Sequence, residues 1–241
     1  MRTYVRRTCW LGLAIPFVLA GCVKLARESP RLQLYVLSGA SPDAPPTATA
    51  SSTASSTATS RAAFSVGLSR IELASYLSAP SVMMRRGANQ LTISEFHRWG
   101  GDLDQGINRA VAAYLAASPR VRAVDVAPWT ARARHDVLLQ LHVSRFEGVV
   151  VDSAATEGRV HVIAGWDIIR PFDGSVLVRG TSDDRDGRFR VGDYTGLVAG
   201  LDAALSRVAR DIGACLARFP NDSTPPGSCG GVAAGTGSGG R

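Results

Sequence analysis

The chain reads as two kinds of periodicity that follow one another. Short apolar runs that suit strands come first: "LQLYVL" (Leu32 to Leu37) and "FSVGL" (Phe64 to Leu68). "SVMMR" and "QLTIS" flank the turn-rich "RGAN" (Arg86 to Asn89) and predict a hairpin. Leu103, Ile107, Ala110, Val111, Tyr114 and Leu115 then recur at helical spacing from about Asp102 to Ala117. "VRAVDV" (Val121 to Val126) returns to strand. In "DVLLQLHVSRF" the residues Val137, Leu139, Leu141 and Val143 share one face, and in "RVHVIAGWDII" so do Val160, Val162, Ala164, Trp166 and Ile168. "SVLVRGTS" follows across Asp173-Gly174, a hairpin signal. Three such strands in sequence predict an antiparallel meander with one buried face. A last helix, N-capped by Asp193, carries Tyr194, Leu197, Val198, Leu201, Leu205, Val208, Ile212, Cys215, Leu216 and Phe219 as one stripe. The expected fold is α+β: a single domain with a mixed, largely antiparallel sheet and two main helices packed on one face.

Two segments do not fit this scheme. Residues 41 to 60, "SPDAPPTATASSTASSTATS", hold no large apolar residue and no aromatic, so they bury too little surface to offset their ordering entropy. They predict a flexible loop over 41–61, with an end-to-end distance of about 25 Å. The segment from Pro220 has the same character and predicts a disordered tail over 220–241. The foldable part is therefore 32–219.

The N-terminus is of a third kind. Arg2, Arg6 and Arg7 precede the apolar "CWLGLAIPFVLA" (Cys9 to Ala20), which is too short for the roughly 20 residues of a membrane span and contains Pro16. A basic start, a short apolar middle and a small-residue exit mark a secretory signal over 1–21. The exit "LAGC" (Leu19 to Cys22) has the form of a bacterial lipobox, in which Cys22 is acylated and the chain is cut before it. The bland reading is an ordinary signal with a chance cysteine. Val23 follows Cys22 in place of the Asp that retains lipoproteins in the inner membrane, which favours the outer membrane, periplasmic face. A stem over 22–31 leaves nine residues between Cys22 and Leu32, about 30 Å when fully stretched. The folded part is therefore expected close to the bilayer.

This changes the charge account. The chain has 27 basic and 20 acidic residues, net +7; without the three signal arginines the balance is 24 to 20, net +4. Much of the basicity is targeting signal, and no nucleic-acid partner is expected. With Cys9 removed and Cys22 acylated, Cys215 and Cys229 remain in an oxidising compartment. Two fates are open: a bridge that pins the tail to the helix end, or a buried thiol at Cys215 with Cys229 in the tail.

The candidate chemistry is sparse. A turn near residue 152 would set His142 and His161 opposite each other, but zinc wants three or four ligands, and a solvent-facing polar pair is the competing reading. In "SDDRDGRFRVGD", Asp184, Asp186, Gly187 and Asp193 fall at calcium-loop positions 3, 5, 6 and 12. Ser182 holds position 1, position 12 is not Glu, and three arginines intrude, so a charged turn leading to a helix cap competes. The sequence carries no GxSxG elbow, phosphate-cradling loop or HExxH pattern, and neither a catalytic residue, a metal nor a cofactor is assigned. Trp166 reads as core. Trp99 and Trp129, beside turns, and Arg85, Arg86 and Arg98, flanking the hairpin, are the candidates for a partner surface, against an ordinary solvated edge.

"LQLYVL" after a lipobox, "RIELASYLSAPSVMMRRGANQLTISEFHRW" (Arg70 to Trp99), the strand "VLLQLHVSRF" and the long last helix together resemble the ABC-type transport auxiliary lipoproteins. That family includes the paraquat-inducible C-type lipoprotein. The resemblance covers residues 31 to 219. Its most specific parts are Tyr76-Leu77, the Arg85 to Trp99 hairpin exit and Arg145-Phe146. Gly100-Gly101 follow Trp99 where the family often has an acid and a proline. The resemblance implies a non-enzymatic lipoprotein, anchored by acyl chains such as palmitate, that works with an ABC transporter and a membrane-anchored MCE-domain protein in intermembrane lipid transport. It also implies a homo-oligomer around the MCE assembly. The competing reading is a stand-alone periplasmic binding or assembly lipoprotein.

Overall fold

The strands take their order from one long ribbon. A computed structural model describes residues 31–39, 64–130, 132–219 and 229. The signal 1–21, Cys22 with the stem to residue 30, the loop 41–61 and the tail from Pro220, Cys229 excepted, lie outside the described residues. From Leu32 onward the described residues belong to one unit. Its elements are β1 (Gln33–Tyr35), β2 (Phe64–Leu68), β3 (Glu72–Leu73), β4 (Ser81–Arg86), β5 (Gln90–Trp99), α1 (Leu103–Ala116), β6 (Val121–Val126), β7 (Val137–Val150), β8 (Glu157–Ile169), β9 (Val176–Asp184), β10 (Arg188–Arg190) and α2 (Tyr194–Leu216). The expected α+β fold, with a mixed sheet and two helices, is the fold observed.

β7 is the spine. On one edge it pairs antiparallel with β8, from Leu138↔Ile169 to Val149↔Arg159, and β8 pairs antiparallel with β9. This is the expected meander. Its tight β8–β9 turn uses Gly174 at φ +71°, a left-handed conformation that favours glycine. On the other edge β7 receives three segments in turn, all parallel: β2 at Val137 to Leu139, β3 at His142 and Val143, and β4 at Gly148 to Val150. Between β3 and β4 the chain leaves the edge, makes one 3₁₀ turn at Ser75–Ser78, and returns. β4 and β5 form the expected hairpin, β1 adds to β5, and β6 adds to β2.

β7 also changes phase. Val137, Leu139, Leu141 and Val143 are buried, then a bulge between Val143 and Arg145 brings Phe146, Gly148 and Val150 to the buried side. A Cβ on Gly148 would lie 2.8 Å from the Phe189 ring and 3.0 Å from Leu197, so α2 approaches the sheet over this glycine. A Cβ on Gly180 would lie 2.0 Å from the Trp166 ring, which fills that space from the neighbouring strand.

α2 packs across β7, β8, β9 and β10, while α1 packs on β6 and on α2. Nine of the ten stripe residues of α2 are buried; Tyr194 is half-buried. Each large aliphatic contributes about 1.5–3 kcal/mol on burial. Asp193 caps the helix, accepting from the Gly196 N–H at 2.8 Å. At the other end Cys215 is disulfide-bonded to Cys229, with Cα atoms 5.4 Å apart. Both cysteines are buried, as is Phe219.

Candidate functional site

The jog between β3 and β4 gathers residues that are distant in sequence. Glu147, one residue past Phe146, points away from the helices, yet its side chain is 0% exposed. Burial of a lone carboxylate is costly, and this one is surrounded by donors. Arg85 Nε lies 2.5 Å from Oε1 and Arg85 Nη2 3.1 Å from Oε2, a two-point fork. Arg145 Nη1 donates to Oε1 at 3.4 Å, and the Tyr76 hydroxyl donates to Oε2 at 3.0 Å. Burial and the Glu147 charge push the Tyr76 hydroxyl up to about 12, so it stays protonated and donating. The knot therefore ties the 3₁₀ turn, β4 and β7 together on the helix-free face.

Behind it, on the helix side, Leu77, Trp99 and Phe146 are buried together, with Trp99 and Phe146 ring centroids 5.9 Å apart. The backbone of Trp99 is held by its N–H to the Pro80 carbonyl at 2.8 Å, and Gly100 N–H donates to Tyr35 O at 2.7 Å. A cleft of about 380 Å³ opens beside Trp99, between the 3₁₀ turn and the start of α1. Ile71, Leu73, Leu77 and Pro80 form its apolar wall; Asp102 and Asp104 stand at its α1 side. Two residues before Trp99 on β5, His97 stacks on Tyr194 with centroids 3.7 Å apart and planes 10° apart, joining β5 to α2.

The five candidates for a partner surface are not brought together on one surface. Trp99 is a core residue, only 7% exposed, because the strand runs on through it and the turn comes after it. Arg85 is committed to Glu147. Arg86 is half-buried, and Arg98 is exposed at the opposite end of the hairpin, pairing with Ser81. Trp129 is half-buried against His135, centroids 4.9 Å apart, before β7 begins. Arg85 and Arg86 pair with Val149 and Val150, about 40 Å further along that strand.

Two other candidates also change. His142 pairs with Gly165 and His161 with Glu147, because the β7–β8 turn is centred beyond residue 152. His142 Nδ1 meets Glu72 at 3.0 Å, and His161 Nε2 meets Asp183 at 3.0 Å. The calcium-like stretch is no loop: β9 runs to Asp184 and β10 starts at Arg188. Ser182 donates to Asp211 at 2.7 Å, Asp184 pairs with Arg207, and Asp193 caps α2. Among the described residues no group of three or more His, Cys, Asp or Glu is placed to hold a metal ion.

Sequence reading missed Glu147. An acid following an apolar strand residue carries no signal of its own. Yet Tyr76, Arg85 and Arg145 converge on it, while Leu77, Trp99 and Phe146 lie behind it. These are the residues on which the family resemblance is most specific.

Residues 46–213 match the family described as the ABC-type transport auxiliary lipoprotein component. The chain belongs to this family. Among solved structures it is similar to protein XCC0632 from Xanthomonas campestris, at 16% identity and a TM-score of 0.51, covering 63% of this chain and 82% of that one. A PelC dodecamer from Paraburkholderia phytofirmans (15% identity, TM-score 0.37, 61% and 85% coverage) and a minor lipoprotein from Acinetobacter baumannii (12%, 0.35, 64% and 95%) are more distant likenesses. No curated protein matches the chain.

Proposed function

We propose that this auxiliary lipoprotein is a non-catalytic subunit of an intermembrane lipid-transport system, held by acylated Cys22 on the periplasmic face of the outer membrane. Its partners are an MCE-domain protein and ABC transporter components, and it works as a homo-oligomer. The observation that carries this reading is the family match over residues 46–213, starting soon after the Leu19–Cys22 lipobox. The geometry is in keeping with it. The most buried carboxylate among the described residues, Glu147, is bound by two arginines and a tyrosine, so its charge is paired within the sheet. The cleft beside Trp99 has an apolar wall on one side and Asp102 and Asp104 on the other.

The test is labelling and pull-down together. The native chain should incorporate labelled fatty acid and fractionate with the outer membrane; Cys22→Ser should do neither. The native chain, solubilised from the envelope, should co-purify with an MCE-domain protein. Acylation without any such partner would favour a stand-alone periplasmic lipoprotein. Hydrolysis of lipid esters by the pure protein, lost on one point substitution, would overturn the non-catalytic reading.

A further inference from the structure

β1 is the edge strand of the sheet, bonded only to β5. Its side chains sort by face. Tyr35 and Leu37 pack toward the core, whereas Leu32, Leu34 and Val36 point out on the helix-free side and are 56%, 62% and 73% exposed. Leu34 lies level with Arg98, which pairs with Ser81; Met83, two residues on, pairs with Ile93. Directly paired residues share a face, so Ile93, 59% exposed, belongs to the same surface as Leu34 and Arg98. Half of the large exposed apolar side chains among the described residues thus lie on one face, beside the exposed Arg98.

We propose that this face rests on the membrane to which Cys22 is anchored, with Leu32, Leu34, Val36 and Ile93 entering the headgroup region and Arg98 meeting anionic headgroups. The proposal rests on the anchoring part of the reading above. Three observations select the bilayer as occupant. Nine residues separate Cys22 from Leu32, so acyl chains in the membrane keep this strand within about 30 Å of it. That stem carries Lys24, Arg27 and Arg31 against the single acid Glu28, net +2, the charge sign that anionic lipid attracts. The apolar area of four partly exposed aliphatics is on the order of a few hundred Å², well under the ~800 Å² per partner of a stable protein interface but suited to shallow insertion.

The test uses the full mature lipoprotein in phosphatidylethanolamine–phosphatidylglycerol vesicles carrying brominated acyl chains. Leu34→Trp places a reporter on the face; Phe172→Trp places one on the β8–β9 turn, where Phe172 is 95% exposed. Emission is read above the native tryptophans. The Leu34→Trp increment should shift to the blue and lose about half its intensity to the bromolipid, with Leu32→Trp behaving alike and Phe172→Trp unchanged. Adding Arg98→Glu should weaken the quenching. An acylated chain that floats with vesicles while Leu34→Trp stays solvent-like overturns this proposal alone. A chain without acyl mass that fails to float overturns the anchoring and this proposal together. A blue shift of Leu34→Trp in the Cys22→Ser chain that grows with protein concentration, before vesicles are added, assigns the face to a second copy and overturns it.

Discussion

Phe146 and Glu147 are neighbours in β7, and both are buried, but on opposite faces of the sheet. Phe146 sits under the helices among aliphatic side chains and Trp99. Its burial is non-directional, and its neighbours need only fill space. Glu147 is covered without helices, by Tyr76, Arg85 and Arg145, each at a defined oxygen. The helix-covered face is thus held by area and the open face by geometry. An apolar face tolerates substitution in proportion to volume; a polar knot fails when one partner is missing, because the others stay desolvated.

The comparison breaks most visibly at Phe146. Phe146→Ala should cost about 4 kcal/mol in urea denaturation, the largest single loss expected. Glu147→Ala should cost about 3 kcal/mol, leaving Arg85 without its fork, whereas Glu147→Leu with Arg85→Met should recover most of it. If the double replacement is no better than Glu147→Ala, the loss does not come from leaving Arg85 unpaired and desolvated. Cys229→Ser, which opens a loop of sequence separation 14, should cost about 2–3 kcal/mol in the same assay, and reduction should lower the native protein to the same level. Tyr76→Phe removes one donor from an oxygen that keeps Arg85, and should cost about 1 kcal/mol.

The smallest effect concerns pH. Burial, with Arg185 nearby, lowers the His161 pKa, so the folded value lies below the unfolded one. The unfolded chain then binds more protons, and stability is full above about 6.5 and declines as pH falls toward the folded value. Unfolding free energies measured at pH 7.5 and 5 should differ less in His161→Gln than in the native protein; an unchanged slope would assign the pH dependence to other groups.

The pattern of apolar positions determined the secondary structure of both helices, the β4–β5 hairpin and the β7–β8–β9 meander. All are local, and period and turn residues report local structure directly. The Asp193 cap was legible for the same reason. What only the tertiary structure decided is what brings distant segments together. Parallel pairing of β2, β3 and β4 on one edge of β7 has no sequence period, because its partners are 64 to 71 residues apart. The β7 bulge turned Phe146 inward, since a one-residue slip exchanges the two faces of a strand, and the position of the β7–β8 turn set His142 and His161 on different partners. Trp99 looked like a surface residue because it adjoins Gly100-Gly101; it is core because the jog lays Leu77 and Phe146 against it. Arg85 looked solvated because an arginine's partner is invisible until a carboxylate arrives from another strand. Sequence determined which residues form each element; the close approach of those elements in space decided which charges are buried.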